Sequence, residues 1–202
     1  LYNVAVGHET MSALTTADYN VAVGFQALDA HTTGAKNIAI GSSALGASTT
    51  GQHNIAIGHQ AADALKEDEQ YNIAIGIDAL GSMDEGSSGD VDYNIAFGFN
   101  ALLGADLGSA STSVIGNVAI GRNALSSTAD NAQTGTIAIG YNALKSLTSG
   151  DGNISIGYAA ADGITTGARN IVFGHSAMTG ADGGETDNMA IGYSALGNLN
   201  HD

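Results

Sequence analysis

Oxygen-bearing side chains gather at two places in this chain. Asp84, Glu85, Asp90 and Asp92 share one glycine- and serine-rich stretch, and the run Asp182-Gly183-Gly184-Glu185-Thr186-Asp187 has a similar make-up. Carboxylates are the ligands that Ca²⁺ prefers, so Ca²⁺ is the one cofactor these residues bring into question. Their spacing matches neither an EF-hand loop nor the Gly-Gly-x-Gly-x-Asp repeat of Ca²⁺-binding β-rolls, and a solvated acidic loop is the plainer reading. His53 and His59 do not form a His-Glu-x-x-His arrangement, and His8-Glu9 lacks the second histidine. No Gly-x-Ser-x-Gly elbow occurs. The glycine-rich turns do not open a helix, so they are not phosphate loops. No pair of carboxylates recurs with the placement that glycoside hydrolysis needs. The expectation is a protein that is not an enzyme and carries no resident cofactor.

A second set of residues is chemically suited to recognition. One recurring position holds His8, Phe25, Ser42, His59, Ile77, Phe99, Arg122, Tyr141, Tyr158, His175 and Tyr193. Aromatic and histidine side chains dominate it. On the surface, such a column could stack on sugar rings or grip a protein receptor through aromatic faces. Buried, it would fill space between chains. Both readings stand at this stage.

That position is defined by a repeat. The phrase Asn-(Ile/Val)-Ala-(Ile/Val)-Gly, with small variations, starts at Asn3, Asn20, Asn37, Asn54, Asn72, Asn94, Asn117, Thr136, Asn153, Asn170 and Asn188. Most starts are 17 or 18 residues apart, and the steps lengthen to 22, 23 and 19 between Asn72 and Thr136. A short fixed period means one unit stacked on itself, so residues 1–202 read as a single repeat domain. In the phrase at Asn37, Ile38 and Ile40 share one strand face and Ala39 the other. Gly41 ends the strand, and Ser43-Ala44-Leu45 is expected to form a second short strand before a Gly/Ser/Thr turn. The predicted fold is therefore all-β: a parallel β-solenoid of about eleven coils. Coils stacked at about 4.8 Å would make a rod roughly 50 Å long.

Stacking turns each position into a column. Val4, Val21, Ile38, Ile55 and their equivalents are expected to make an inner apolar stack. Asn37, Asn54, Asn72, Asn94, Asn117, Asn153 and Asn170 are expected to form a side-chain amide ladder, interrupted at Thr136. A second apolar column runs through Leu28, Leu45, Leu80, Leu102, Leu125, Leu144 and Leu196. A coil of this length is too narrow to enclose the Ile pairs, the Ala residues and the Leu together, so one face is expected to be buried between chains; the other reading is that the Leu also lies within the coil and the protein is a monomeric rod. The absence of proline fits, since each backbone N–H is needed by a neighbouring coil.

Composition bounds the partners. Five Lys or Arg stand against twenty Asp or Glu, for a net charge of −15. Nucleic acid needs clustered basic charge, which is absent. No apolar run is long enough for membrane insertion. With no cysteine, the chain has neither disulfides nor thiolate metal sites.

The phrase Asn-Ile-Ala-Ile-Gly, followed after two residues by Ala-Leu, resembles the head repeats of trimeric autotransporter adhesins. Lines such as Gly140-Tyr141-Asn142-Ala143-Leu144 look closer still to the repeats of bacteriophage tail-fibre and tail-spike proteins. The resemblance covers the whole chain and recurs in register eleven times. It implies a left-handed β-roll assembled as a homotrimer, extracellular, on a virion or bacterial cell surface, and meeting a cell-surface glycan or protein receptor. The adhesin repeat is shorter by a turn, and neither its coiled-coil stalk nor its anchor is present. Both ends open within the repeat, so further coils or a capping domain are expected beyond residues 1 and 202. The function expected is a structural and adhesive fibre segment. The alternatives are a β-solenoid polysaccharide depolymerase and an ice-binding solenoid. The latter would need an outward threonine ladder, and Thr32-Thr33, Thr49-Thr50 and Thr165-Thr166 occur in only some coils.

Overall fold

The computed structural model describes residues 2–83, 89–104, 113–128, 132–181 and 183–198. Each phrase forms one three-residue strand. These are β1 (Val4–Val6), β2 (Val21–Val23), β3 (Ile38–Ile40), β4 (Ile55–Ile57), β5 (Ile73–Ile75), β7 (Ile95–Phe97), β9 (Val118–Ile120), β11 (Ile137–Ile139), β12 (Ile154–Ile156), β13 (Ile171–Phe173) and β14 (Met189–Ile191). Among the described residues they make one eleven-stranded parallel sheet in chain order. Every pair is in register, Ile38 on Ile55 and Ile55 on Ile73. The molecule is a parallel β-solenoid. Successive strands are joined by arcs that return to the start of the next rung, and we call each strand with its following arc a coil.

The longer steps keep the same scheme. Beside them lie β6 (Val91–Asp92), β8 (Val114–Ile115) and β10 (Gln133–Thr134), a second parallel sheet at the end of three adjacent arcs. The returning ends of the long arcs lie side by side, Val91 on Val114 and Val114 on Gln133. Residues 84–88 and 105–112 of these arcs fall outside the described residues.

Two expectations are corrected. The Ile and Val pairs do not form an inner stack. Ala39, Ala56 and Ala74 are fully buried, while the residues on either side of each face outward. The interior is narrow, and it is filled by the smaller residue of each strand plus the Ala and Leu of the following arc, such as Ala44 and Leu45. The Leu column thus lies within the coil from Leu28 to Leu144, while Leu196 in the last described arc is exposed. Nor is Ser43-Ala44-Leu45 a strand. Ala44 and Leu45 are consecutive and both buried, which period-two alternation forbids. The chain solves this by bending: Ser43 and Leu45 take φ of 56° and 50°. Left-handed backbone costs about 1–2 kcal/mol per residue, and burying a leucine returns about 1.5–3 kcal/mol.

The Asn side-chain amide ladder is present, with Asn37 Nδ2 donating to Asn20 Oδ1 and Asn72 Nδ2 to Asn54 Oδ1 at 3.2 Å, and it takes in the backbone as well. Asn54 N–H donates to Asn37 Oδ1 at 2.9 Å, and Asn72 N–H to Asn54 Oδ1 at 3.0 Å. Asn94, Asn117 and Asn170 repeat the bond on Asn72, Asn94 and Asn153. The Asn37 amide Nδ2 also donates to Gly51 O at 2.8 Å, tying strand to arc. Each side chain thus satisfies buried backbone groups that would otherwise lack partners. Thr136 receives nothing new to pass on: its N–H donates to Asn117 Oδ1 at 2.9 Å, while its hydroxyl reaches Gly150 O at only 3.5 Å. Thr136→Asn should restore the carboxamide acceptor for Asn153 N–H. One or two added hydrogen bonds should raise stability by about 1 kcal/mol in chemical denaturation.

Candidate functional site: the apolar face and its aromatic borders

The outward residues of the sheet form the most distinctive surface of the molecule. Val6, Ile40, Ile57, Ile95, Phe97, Ile120, Ile171, Phe173 and Ile191 are all exposed. The column pair carries Val, Ile, Phe and Met only, with no polar or charged side chain from β1 to β14. In-register pairing fuses them into one strip about 48 Å tall, from ten rung spacings of about 4.8 Å. Soluble monomers seldom leave a continuous apolar patch of this extent uncovered.

An aromatic ladder borders the strip just past the phrase glycine. Here stand the residues singled out for recognition. Phe25, His59, Phe99, Tyr141, Tyr158, His175 and Tyr193 are all on the surface, from 38 % exposed at Tyr141 to 80 % at Tyr193. The rings stack on one another. Tyr141 and Tyr158 are 5.2 Å apart between centroids at 6°, Tyr158 and His175 are 4.8 Å apart at 15°, and His175 and Tyr193 are 5.4 Å apart. His8 stacks on Phe25 at 5.6 Å. Arg122 sits between Phe99 and Tyr141, 5.4 and 5.6 Å from their centroids, and donates to the Tyr141 hydroxyl at 3.0 Å. Where both faces of a ring are stacked, as at Tyr158 and His175, its edges are what remains exposed.

A second ladder borders the other side, in the residue before the Asn. Tyr2 stacks on Tyr19 at 5.2 Å, His53 on Tyr71 at 4.8 Å and Tyr71 on Tyr93 at 4.9 Å. Further along the same column, Arg169 makes a two-pronged bond to Asp187, 2.6 and 2.8 Å. Sequence reasoning passed over this column. Its signal was the residue preceding each phrase, which is aromatic or histidine in Tyr2, Tyr19, His53, Tyr71 and Tyr93.

Of the acidic candidates, Asp84, Glu85 and Asp182 lie outside the described residues. Asp90 is exposed, and Asp92 Oδ1 accepts from Gln70 N–H at 2.6 Å. Among the described residues, no three metal-binding side chains cluster, and no helix is long and apolar enough to cross a membrane. The turn threonines donate inward to the stack: Thr15 to Thr32 O, Thr32 to Thr49 O and Thr148 to Thr165 O, at 2.8–3.0 Å.

Three arc carboxyls are held above the ordinary carboxylate range. Burial is the largest cause for Asp63, Asp92 and Asp162. Hydrogen bonds from Gln60 and from Gln70 N–H partly oppose it at Asp63 and Asp92, and Lys145 opposes it at Asp162. A carboxyl raised in the fold favours folding when protonated. Its contribution is full below the unfolded value and fades as pH rises through the folded one. Asp187, lowered by the Arg169 hydrogen bond, runs the other way, but it is exposed and screened. Relief of self-repulsion from the −15 net charge acts with the raised group. The melting temperature should therefore hold or rise when pH falls from about 7 to about 5, as read by circular dichroism; a clear fall would contradict this assignment.

No family model, curated protein or solved structure matches the chain.

Proposed function

We propose that this chain is a structural segment of an extracellular fibre, on a virion or a bacterial cell surface, in which three copies join through the Ile/Val face and hold a receptor-binding surface away from the fibre base. The observation that carries this reading is the unbroken outward apolar strip. At about 48 Å by about 10 Å it offers roughly 500 Å² per chain before its aromatic borders are added, close to what a specific interface needs from one partner. A narrow strip that runs the length of a rod is buried most completely when like strips converge on an axis parallel to it, which is a closed cyclic arrangement. The number three follows the resemblance to adhesin and tail-fibre repeats.

The rest of the surface suits exposure. It is acidic, and it includes the arcs and the side-by-side returns around Val91, Val114 and Gln133. Loops on a rigid scaffold are where recognition usually sits, so a glycan or protein receptor would meet the arcs and the outer ring edges. This is a binding and scaffolding role and not a catalytic one. Sedimentation equilibrium tests the assembly directly: three times the 20.1 kDa chain mass is expected, and a single-chain mass at micromolar concentration would overturn the reading.

A further inference from the structure

On two adjacent coils the interior holds buried polar side chains without partners, Ser48 and Glu69. Three residues before each phrase, the steps of 17 residues carry a small residue, as at Ala17, Gly34, Gly51, Gly150 and Gly167. The two steps of 18 residues that close at Asn72 and Asn188 carry Glu69 and Glu185 instead, both buried. Their main chains do the same work as the glycines: Asn54 Nδ2 donates to Glu69 O at 2.8 Å and Asn170 Nδ2 to Glu185 O at 2.6 Å. Their side chains differ. Glu185 accepts from Gly183 N–H at 3.3 Å in its own turn. Glu69 is 3 % exposed, and neither carboxyl oxygen has a partner.

The coil below explains where that carboxyl can turn. Ser48 occupies the interior column that His31 fills one coil earlier and that Leu147 and Ile164 fill elsewhere. The His31 imidazole packs over Gly34 and contacts Gly34 O through Nε2 at 2.9 Å. Ser48 with Gly51 places a much smaller side chain in that column. A Cβ on Gly51 would stand 2.9 Å from Ser48 Oγ and 2.9 Å from Glu69 O. Ser48 Oγ is itself buried without a partner. Leu65 in Glu69's own coil, and Met83 and Val91 in the next, are fully buried apolar residues.

An unpartnered buried carboxyl and hydroxyl each cost several kcal/mol in a dry interior. Enclosed spaces with polar walls hold water, whereas apolar ones stay empty. We propose that a water molecule is bound inside the solenoid between the coils of β3 and β4. It accepts from the Ser48 hydroxyl and donates to a Glu69 carboxyl oxygen. The site lets the stack absorb the added residue of the 18-residue step without opening a gap in the Asn ladder.

High-resolution diffraction from the wild-type chain tests this. One solvent peak is expected within about 2.7–3.2 Å of both Ser48 Oγ and a Glu69 oxygen. A direct Ser48–Glu69 hydrogen bond with no solvent between them would overturn the proposal, as would an ion ringed by five or more short oxygen contacts. Ser48→Ala combined with Glu69→Val, which copies Val91 and Val114 in that column, should lose the peak and melt at a higher temperature. A peak that persists in the double variant would also overturn it. If that variant does not fold, the wild-type density decides alone.

Discussion

Ile57→Glu combined with Ile75→Glu should turn the assembled rod into a folded single chain. Ile57 and Ile75 are register partners on β4 and β5, and both side chains point away from the coil interior. In a lone chain the new carboxylates remain in water, so the strand signal in circular dichroism should be unchanged. In the assembly they would enter an apolar seam. With three copies around one axis, six carboxylates would crowd together without a cation to pair them. An unpaired buried charge costs several kcal/mol, and like charges add to that. The expected sedimentation result is a fall from the assembled mass to 20.1 kDa. Ala56→Glu is the matching control. Ala56 lies between Ile55 and Ile57 in the same strand, fully buried, so that substitution should unfold the local coils and lose the strand signal. If the double variant keeps the wild-type mass, the Ile face is not the seam.

That contrast between neighbours is also where the sequence was hardest to read. The period of the phrase, the parallel in-register stack and the Asn ladder were all legible, because each follows from identical residues recurring at fixed steps. The direction of the strand was not. Hydrophobicity ranks Ile above Ala for burial, and a reader who follows rank alone places Ile38 inside. Volume decides otherwise: the coil has room for Ala39, Ala44 and Leu45 but not for a column of paired isoleucines. The Ala-Leu doublet held a usable clue, since two adjacent buried residues cannot belong to one flat strand. The aromatic column was legible as a column, but its chemistry was not. Ring-on-ring stacking at Tyr141, Tyr158 and His175 follows from the rung spacing, which holds near-parallel rings 5.2 and 4.8 Å apart between centroids. The buried Glu69 was visible only as one acid among many. What marks it is its place three residues before Asn72 in a lengthened step.

Gly58→Ala, like the same change at the equivalent phrase glycines, should be strongly damaging. Gly58 ends the β4 phrase with φ of 143°, a region that residues with a Cβ rarely enter. An added Cβ would collide with the Gly76 carbonyl oxygen and lie 2.6 Å from its carbon. The obstacle is backbone, so no rotamer change relieves it. The two coils would have to separate, and that would stretch two bonds, Gly76 N–H to Ile57 O and Ile55 N–H to Asn72 O, both 2.8 Å. The same glycine recurs above and below, Gly41 on Gly58 and Gly76 on Gly98, so the strain cannot be passed along the rod. Backbone strain of about 1–3 kcal/mol and two weakened hydrogen bonds of about 1 kcal/mol each together predict a loss of about 3–5 kcal/mol. Gly116→Ala separates this cause from a general intolerance of alanine. Gly116 has φ of 69° and nothing within 4 Å of its would-be Cβ, so only the left-handed cost of about 1–2 kcal/mol applies. Denaturant unfolding of the two variants side by side should show the larger loss at Gly58. Equal losses would mean that the phrase glycine is selected for its dihedral alone, and that the coils are not in backbone contact at this column.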